Sequence, residues 1–401
     1  MSLDLWRRLR EQPDLVNAAK DATGSPLAAQ TALRAAFDPP LVPLALTLAE
    51  CRRRAAGKFP FADRLWTDTR RLEQATSWPV AVHKATRFQG PVADLCCGLG
   101  GDSLAIAGGG CDVRAVDIDP VCGVFVRANA EAVGVSDRVR FEAGDVTHRE
   151  LGGLIHIDPD QRAGPRRTRR IEQYRPPLAF LQELTGRAAG GAIKLSPASN
   201  FGGKFPGCEL ELTSLGGECK EATVWFGDLA GDVSNRATVL RSLPLTALPL
   251  EQPTVVVETL TGDPLAAIAE EARPQPGEYL LDPDPAVVRA GLIDQLCVDE
   301  GLFRTDGAEE YLCSGTLPDS AFVTPFRVLG ETANNTRAIR DMLAAAGIGP
   351  LEVKTRHVGA DANRMQKRFR GRGDRPGVLF IARVSGQTRA VLTERLSHEP
   401  V

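Results

Sequence analysis

The chain has 401 residues, of which 43% are hydrophobic and 25% charged, and 48 Lys and Arg oppose 51 Asp and Glu for a formal net charge of -3. This length predicts two or three domains with a substantial core and excludes a peptide, a coil or a disordered tail. The balance of charge excludes a globally basic, histone-like nucleic-acid binder, so any such contact must come from local basic patches. No apolar run is long enough for a membrane span, and residues 1–10 lack a signal-peptide pattern. We expect a cytoplasmic protein with no membrane partner.

The first 86 residues carry apolar side chains at the spacing of three and four that is typical of helices. Ala28 to Ala36 and Leu41 to Ala49 are the clearest examples, and no strand-like alternation interrupts them. The pattern predicts a helical N-terminal domain over residues 1–86.

From residue 87 to residue 245, short apolar runs alternate with helical stretches, which is typical of a parallel α/β sheet. In chain order we predict strand Pro91–Cys96, a helix containing Ser103–Ala107, strand Asp112–Val116, helix Pro120–Val133, strands Val139–Ala143 and Leu154–Ile157, helix Ala179–Ala188 and strand Gly191–Leu195. The alternating runs Glu209–Leu215 and Ala222–Phe226 predict an antiparallel hairpin at the edge of the sheet.

The last part of the chain follows a Pro-rich passage from Leu243 to Pro253, which predicts a linker. Residues 254–401 then predict a mixed α+β domain. Its predicted elements are helices Ala286–Val298 and Thr336–Ala346, strand Leu351–Thr355 and a hairpin of Gly377–Val384 with Thr388–Leu392.

A glycine-rich loop, Asp94 to Asp102 (DLCCGLGGD), lies between the first predicted strand and its helix. Glycines allow a sharp turn and the close approach of a ligand, and the helix N-terminus beyond favours polar or anionic groups. Asp117 and Asp145 follow at the ends of the next two strands. Carboxylates at these positions line the crevice in which open α/β sheets bind ligands, and the one after the second strand can accept hydrogen bonds from ribose hydroxyls.

The glycine spacing distinguishes between nucleotide cofactors. A dinucleotide fold would show G-x-G-x-x-G, whereas here an acidic residue opens the loop and the glycines are Gly98, Gly100 and Gly101. An acidic group would repel a pyrophosphate but suits the sulfonium and amino-acid end of S-adenosylmethionine. Over about residues 87–226 the chain resembles the class I S-adenosylmethionine-dependent methyltransferases. The resemblance implies an α/β fold with a Rossmann-like sheet, flanked here by the helical and the α+β domains.

Within that superfamily the loop is similar to the D-x-x-C-G-x-G-G form of RNA-modifying branches, which include trimethylguanosine synthase-like enzymes. Leu72 to Ala81 looks like the approach segment of the same branch. The resemblance implies a methyltransferase domain over residues 87–245, with Asp117 at the ribose, Asp145 at the adenine, and Cys96 in place of the usual first glycine. The cofactor contacts it implies are Asp94, Cys96, Gly98, Gly100, Asp102, Asp117, Ile118, Asp145 and Val146.

The fourth strand ends in His156 to Asp160 (HIDPD), where methyltransferases of exocyclic amines usually carry (D/N)-P-P-(Y/F/W). In that motif a side-chain oxygen and the next carbonyl orient the amine, and the aromatic ring stacks on the base. Asp158 and Pro159 match and are implied as catalytic. Asp160 and Gln161 replace the second proline and the aromatic residue, and the missing stacking partner argues against a cap-guanosine substrate.

Five arginines occur within the nine residues that follow the motif. A Gly- and Pro-bearing loop rich in arginine beside the catalytic strand suits the binding of phosphates, although a solvated loop with incidental charge is the alternative. The substrate-binding residues predicted here are Arg162, Arg166, Arg167, Arg169 and Arg170.

A second basic segment, Arg364 to Arg375, holds six cationic residues and one aromatic residue, Phe369. It suits contact with an RNA backbone plus stacking on a base, and a merely solvated face is the alternative. Leu351 to Arg356, Asp282 to Gly291 and the terminal strands look similar to the THUMP-like end domain of bacterial methyltransferase-like proteins, which implies such a domain over residues 254–401. The predicted RNA contacts are Arg364, Lys367, Arg368 and Arg370.

These features lead to the hypothesis of an S-adenosylmethionine-dependent methyltransferase that modifies a base nitrogen of RNA. The alternatives are a methyltransferase of a small molecule or a protein, an RNA-binding protein that has lost turnover, and a NAD-binding dehydrogenase. None of the five histidines is paired at i, i+4 and no cysteines have C-x-x-C spacing, so no metal site is predicted and His156 is assigned to the core.

Overall fold

The computed structural model describes residues 2–149, 151–163, 166–242, 255–356, 359, 361–369, 371 and 373–396. The predicted linker, residues 243–253, and the predicted RNA contact Arg370 lie outside the described residues. The chain divides into a first unit of residues 1–216, 220–232 and 240–256 and a second unit of residues 217–219, 233–239 and 257–401. In the described part of the chain, no helix combines the length and the apolar character that crossing a membrane requires.

Within residues 2–86 the backbone forms six helices, which confirms the predicted helical character. They are α1 (Leu3–Arg10), α2 (Pro13–Asp21), α3 (Pro26–Ala36), α4 (Val42–Ala55), α5 (Thr69–Gln74) and α6 (Trp78–Ala85). Side chains cap two of them, because the Ser25 hydroxyl accepts the Ala28 N–H at 3.2 Å and the Asp68 carboxylate accepts the Arg71 N–H at 2.9 Å.

Strands and helices then alternate, as the sequence predicts. The elements are β1 (Val92–Leu95), α7 (Gly101–Gly108), β2 (Val113–Asp117), α8 (Val121–Val133), β3 (Val139–Ala143), β4 (Leu154–Ile157), β5 (Arg162–Ala163), β6 (Arg166–Arg167), α9 (Leu178–Arg187), β7 (Gly190–Leu195), β8 (Glu209–Leu215), β9 (Glu218–Gly227), β10 (Asn235–Ser242) and β11 (Val255–Gly262). Each predicted strand and helix of this region is present, with ends that differ by a few residues.

The sheet is a Rossmann-like one, with the strand order β8-β9-β7-β4-β1-β2-β3. Strands β3, β2, β1, β4 and β7 are parallel, and β9 pairs antiparallel with β7. The prediction that β8 and β9 lie at the edge of the sheet is wrong, because the sheet continues on the other side of β8 with β10 and then β11. The chain crosses from β3 back to β4 beside β1, so the carboxyl ends of β1 to β4 meet at one edge, where such sheets bind ligands.

The N-terminal helices share one hydrophobic cluster with α7 and α8. Trp6 of α1 packs edge-to-face on Phe125 of α8, with ring centroids 4.8 Å apart, and Phe61 packs in the same way on Trp78 at 5.1 Å. Such aromatic pairs add to the free energy of burial. This packing holds α5 near the carboxyl edge of the sheet, where its side chains reach the loops that follow the strands.

The second unit is an α+β fold. Its elements are β12 (Tyr279–Pro283), α10 (Pro285–Ala290), α11 (Ile293–Glu300), β13 (Phe303–Arg304), β14 (Leu312–Ser314), β15 (Val323–Ala333), α12 (Thr336–Ala345), β16 (Ile348–Thr355), α13 (Ala362–Phe369), β17 (Arg375–Val384) and β18 (Gln387–Arg395). The sheet order is β13-β14-β12-β15-β18-β17-β16, and the predicted hairpin of β17 with β18 is confirmed. The single helix predicted over Ala286–Val298 is instead two, because Gly291 adopts φ +71° after α10.

Helix α13 corrects one prediction about the C-terminal basic segment. Phe369 is buried in the hydrophobic cluster of this unit, and Met365, four residues earlier, packs against the same cluster. Residues four apart share a helix face, so the apolar side chains turn inward while Arg364, Lys367 and Arg368 are exposed. Phe369 is therefore a core residue, and the predicted stacking of a base on it is wrong.

Candidate active site

A cavity of about 520 Å³ lies where β1, β2, β3 and β4 end, and loops after these four strands form much of its wall. Residues 70, 71 and 74–76, from α5 and the turn after it, and residues 175–177 complete the lining. The predicted site residues that line the cavity are Cys96, Gly98, Asp102, Asp117, Ile118, Asp145, Val146, Asp158 and Pro159. The structure thus brings most of the predicted cofactor contacts and both predicted catalytic residues to one place.

Asp94 and Gly100 are not among the described residues that line this cavity. Asp94 is buried inside β1, where its carboxylate accepts hydrogen bonds from the Ser103 hydroxyl and from His156 Nδ1, the latter at 2.7 Å. Gly100 precedes α7 with φ +89°, and a Cβ there would lie 3.1 Å from Val126 Cγ2. Asp94 and Gly100 therefore support the glycine-rich loop without lining the cavity. His156 is a core residue, as the sequence predicts.

Cys96 occupies the position where the family usually has a glycine, and its φ of +59° is the left-handed conformation that glycine adopts most easily. Burial raises the pKa of its thiol, and the nearby carboxylates of Asp117 and Asp158 raise it further. A raised pKa favours the neutral thiol at physiological pH, which makes Cys96 a poor nucleophile.

The loop after β2 is held by backbone hydrogen bonds to the Asp117 carboxylate. Gly98 N–H donates to one oxygen at 3.0 Å, and Asp119 N–H donates to the other at 2.9 Å. The Asp119 carboxylate is bound in turn by Arg71 of α5. These contacts fix Ile118, whose side chain is 71% exposed although it lines the cavity. An exposed large apolar residue at a cavity is a typical surface for a flat ligand ring.

Asp145 follows β3 and lies at the open side of the cavity. Its Oδ1 accepts the Thr147 hydroxyl at 2.7 Å and the Thr147 N–H at 2.9 Å. These hydrogen bonds lower the pKa of the Asp145 carboxyl, so the group is ionised at neutral pH.

Asp158, the first residue after β4, is paired with a lysine that the sequence interpretation missed. Lys194 Nζ donates to Asp158 Oδ2 at 2.6 Å and to the Gln74 carbonyl at 3.2 Å. Burial raises the pKa of Asp158, and the Lys194 ammonium opposes that rise. Burial would lower the pKa of Lys194, but the neighbouring carboxylates outweigh it and raise the value. The available signal was a lysine within the otherwise apolar strand GGAIKL.

Behind the cavity wall, Lys84 forms a second buried pair. Its Nζ donates to Glu221 Oε1 at 2.6 Å and lies 3.0 Å from Asp102 Oδ1, while the Thr76 hydroxyl donates to Asp102 Oδ2 at 2.9 Å. Two ammonium groups and three carboxylates thus lie together, four of them buried and Asp158 partly exposed to the cavity; we call this group the buried charge cluster, and it has one more carboxylate than ammonium group. Its members are Lys84, Lys194, Asp102, Asp158 and Glu221.

Asp160 stands at the position of the motif's second proline. It connects the segment after β4 with Arg175 and with α5. Its backbone pairs with Arg175 through N–H to carbonyl bonds of 2.8 and 3.1 Å. Its carboxylate accepts Arg70 Nη2 at 2.7 Å and Gln74 Nε2 at 2.9 Å. Among the described residues that line the cavity, none is aromatic. The guanidinium groups of Arg70, Arg71 and Arg175 and the rings of Pro159, Pro176 and Pro177 are part of the lining instead.

Among the described residues that line the cavity, none is one of the predicted basic residues Arg169, Arg170, Arg364, Lys367 and Arg368. The backbone of Arg162, Arg166 and Arg167 forms the two-stranded β5–β6 hairpin, and Arg169 and Arg170 are exposed beyond it. Arg364, Lys367 and Arg368 are exposed on α13 in the second unit. Each of the two basic segments therefore belongs to a different unit.

Comparison with known families agrees with this geometry. The family model of RNA cap guanine-N2 methyltransferases matches residues 90–181, and that of THUMP domain-like proteins matches residues 323–395. A putative methyltransferase from Porphyromonas gingivalis, solved by crystallography, is 17% identical with a TM-score of 0.71 and covers 97% of this chain and 99% of its own. At that identity the likeness shows the fold alone.

Relatives in sequence identify the family. Uncharacterized S-adenosylmethionine-dependent methyltransferases from two strains of Mycobacterium tuberculosis are 33% identical over 363 residues, which is 85% of this chain and 93% of each relative. An uncharacterized RNA methyltransferase of Parasynechococcus marenigrum is 33% identical over 81 residues, which is 20% of this chain and 17% of that protein. The cavity fits the cofactor of this family in volume, glycine-rich loop and acidic lining. The chain therefore belongs to the S-adenosylmethionine-dependent methyltransferases, enzymes that take a methyl group from that cofactor.

Proposed function

We propose that this cytoplasmic enzyme transfers the methyl group of S-adenosylmethionine to a nitrogen of an RNA base. The observation that carries the proposal is Asp158-Pro159 at the end of β4, on the wall of the cavity, where amine methyltransferases hold the acceptor. We further propose three functional parts, with the helical domain over residues 1–86, the methyltransferase domain over residues 87–245 and the THUMP-like domain over residues 254–401.

The cofactor would be held by the residues that line the cavity. The loop at Cys96 and Gly98 would face the amino-acid end, Asp117 would accept the ribose hydroxyls, and Ile118 with Val146 would contact the adenine, whose amine Asp145 would accept. Asp102 would add negative charge near the amino group. We assign Asp94 and Gly100 an indirect role, through the shape of the loop.

The acceptor nitrogen would be oriented by Asp158 and by the Pro159 carbonyl, which accept its N–H hydrogens and turn its lone pair toward the methyl group. Bound S-adenosylmethionine supplies a methyl carbon that its sulfonium makes electrophilic. The cofactor would supply the methyl carbon to the acceptor nitrogen, with the bonding electron pair left on its sulfur, and Asp158 would accept the proton that the nitrogen loses. Catalysis is mainly positioning and the exclusion of water.

Local positive charge supports RNA as the acceptor. We assign phosphate contacts to Arg162, Arg166, Arg167, Arg169 and Arg170 after β4 and to Arg364, Lys367, Arg368 and Arg370 in the second unit. The RNA cap guanine-N2 methyltransferase match, the THUMP-like match and the relative named as an RNA methyltransferase support the same class of substrate.

The test of this function compares methylated nucleosides, by mass spectrometry, in RNA from cells with and without the gene. We expect at least one methylated nucleoside to disappear and to return when the purified enzyme and S-adenosylmethionine are added to that RNA. Methylation should weaken steeply with salt, since phosphate contacts release counterions. Identical nucleoside profiles, together with salt-insensitive turnover in RNA-free extract, would contradict an RNA substrate.

A second candidate is the methylation of a small molecule or a protein. It is favoured by the lack of an aromatic residue among the described residues that line the cavity, where Asp160 and Gln161 replace the motif's second proline and aromatic residue. Turnover that survives treatment of the extract with ribonuclease would select this candidate, and turnover that disappears would exclude it.

The Ile118→Ala variant tests the placement of the cofactor. Ile118 is 71% exposed, so truncation should leave stability unchanged but remove the apolar contact that we propose with the adenine. We expect affinity for S-adenosylmethionine to fall about 5- to 30-fold, since about 1–2 kcal/mol of apolar burial is lost. Calorimetric titration measures it, with Leu265→Ala, a 92% exposed residue of the second unit, as the control that should bind normally. Unchanged binding by Ile118→Ala would place the adenine elsewhere.

A further inference from the structure

Lys194 is a buried charged residue at the reaction centre to which the methyl transfer described so far assigns no task. It is the penultimate residue of β7, and its ammonium spans from the Asp158 carboxylate just after β4, at 2.6 Å, to the Gln74 carbonyl at the end of α5, at 3.2 Å. A buried lysine is costly unless it is fully paired, so its retention beside the catalytic carboxylate needs a reason.

The charges that surround Asp158 come from several elements. Lys194 of β7 faces it directly, and Lys84 of α6 and Asp102 of α7 contribute through the buried charge cluster, whereas the titratable Cys96 thiol in the loop after β1 is uncharged. Because the cluster holds three carboxylates and two ammonium groups, removing Lys194 leaves three negative charges against one positive charge. Under those conditions a buried carboxyl group takes up a proton more readily.

Lys194 itself is unsuited to act as a base. The carboxylates around it raise its pKa, so its nitrogen has no lone pair free at neutral pH. Its hydrogen bond goes to Oδ2 of Asp158, which leaves Oδ1 as the oxygen available to an acceptor amine. The lysine therefore has the charge and the contact to act through Asp158 and not on the substrate.

We propose that Lys194 is a positioning residue of the methyl transfer, whose ammonium keeps Asp158 ionised and occupies its Oδ2 so that Oδ1 receives the acceptor amine. The inference rests on the proposed function, since the amine is its acceptor. It also predicts that the ionised Asp158 attracts the sulfonium of S-adenosylmethionine, which is a property of the cofactor site alone.

The experiment compares the wild type with Lys194→Met, Lys194→Gln and Lys194→Arg in two measurements across pH 5 to 9. The first is methylation of RNA, and the second is calorimetric binding of S-adenosylmethionine alone. We expect the acidic limb of kcat/KM to move upward by about one to three pH units in Lys194→Met and Lys194→Gln, since that is the effect of an adjacent opposite charge on an aspartate. Lys194→Arg, which keeps the charge, should restore the wild-type limb.

The pH dependence of S-adenosylmethionine binding should shift upward in the same way, but the change in affinity should be smaller than the change in kcat/KM. Protonation of Asp158 should weaken binding about three- to tenfold, because one charge some ångströms from the sulfonium is lost. Lys84→Met is the matched control, since it removes another buried ammonium of the same cluster that bonds Glu221 and Asp102 instead of Asp158. The acidic limb of kcat/KM in Lys84→Met should move less than half as far as it does in Lys194→Met.

The outcomes separate the inference from the proposed function. A wild type that methylates no RNA, but whose cofactor binding shifts with pH in Lys194→Gln, would refute the RNA acceptor and support the role of Lys194. A wild type that methylates RNA, with limbs in Lys194→Met and Lys194→Gln that coincide with its own while thermal stability falls, would overturn the inference and leave Lys194 as a structural residue. If Lys194→Met fails to fold, Lys194→Gln, which retains a hydrogen-bond donor, decides between the two.

Discussion

Asp158→Ala is expected to lower methyl transfer to RNA at least about 100-fold, which is the usual contribution of a positioned general base. The change removes the carboxylate that follows β4 and lines the cavity, along with the partner of Lys194. Affinity for S-adenosylmethionine should fall less than about tenfold, because the glycine-rich loop, Asp117 and Ile118 remain in place. The measurement is the transfer of a radiolabelled methyl group to RNA, beside calorimetric binding of the cofactor.

Asp160→Ala is the control for that experiment. Asp160 also lines the cavity, but its carboxylate accepts Arg70 and Gln74, at 2.7 and 2.9 Å. Its loss should loosen α5 and reduce the rate by less than about tenfold, short of the loss of a catalytic base. Equal rates for Asp158→Ala and the wild type would show that the acceptor is bound elsewhere, or that this cavity has lost turnover and the chain only binds RNA.

Lys84→Met is expected to destabilise the first unit by about 3–5 kcal/mol, the cost of removing one partner from a buried ion pair. The Lys84 side chain is 3% exposed and lies 2.6 Å from Glu221 and 3.0 Å from Asp102, so its loss leaves both carboxylates buried with less compensation. The pKa of Lys84 is raised by these carboxylates in spite of burial. The stabilisation is therefore complete below the unfolded pKa of about 10.4 and is lost only as pH rises through the folded value, so an assay at pH 7 measures all of it.

The four tryptophans make this measurement specific, because Trp6, Trp66, Trp78 and Trp225 all belong to the first unit. Urea unfolding followed by tryptophan fluorescence thus reports on that unit. Arg187→Met is the control, since its pair with Glu183 is on the surface, with side chains 48% and 55% exposed, and should cost less than about 1 kcal/mol. If the two variants unfold at the same urea concentration, the buried carboxylates do not need the Lys84 cation.

The parts of the site that the sequence predicts are those in which a local pattern decides the structure. Strand, glycine-rich loop and helix follow one another between residues 92 and 108. The carboxylates Asp117, Asp145 and Asp158 lie at or just after the ends of strands, and these ends must meet in a parallel sheet. Asp94 shows the limit of this reasoning. It lies within β1, one residue before its end, and is turned to His156 and Ser103 and not to the cavity.

The contacts that the sequence does not reveal depend on partners distant along the chain. Lys84 and Glu221 are 137 positions apart, and Lys194 and Asp158 are 36 apart, so neither pair forms a spacing that a motif could record. Helix α13 was not predicted from the sequence, for a different reason. Its charged residues dominate the composition, and only the four-residue interval between Met365 and Phe369 indicates an apolar face.

The backbone pairing of Asp160 with Arg175 also bears on how such an enzyme could acquire a new substrate. The paired residues Asp160 and Arg175 flank the β5–β6 hairpin on either side. A second backbone hydrogen bond, from Thr168 N–H to the Gln161 carbonyl at 2.9 Å, joins the two ends of the hairpin. Changes in the length or charge of the hairpin therefore end at these hydrogen bonds and leave Asp158 in place just after β4. The substrate contacts that we propose for the hairpin are therefore separated along the chain from the methyl transfer that we propose at Asp158, so selection could change one without rebuilding the other.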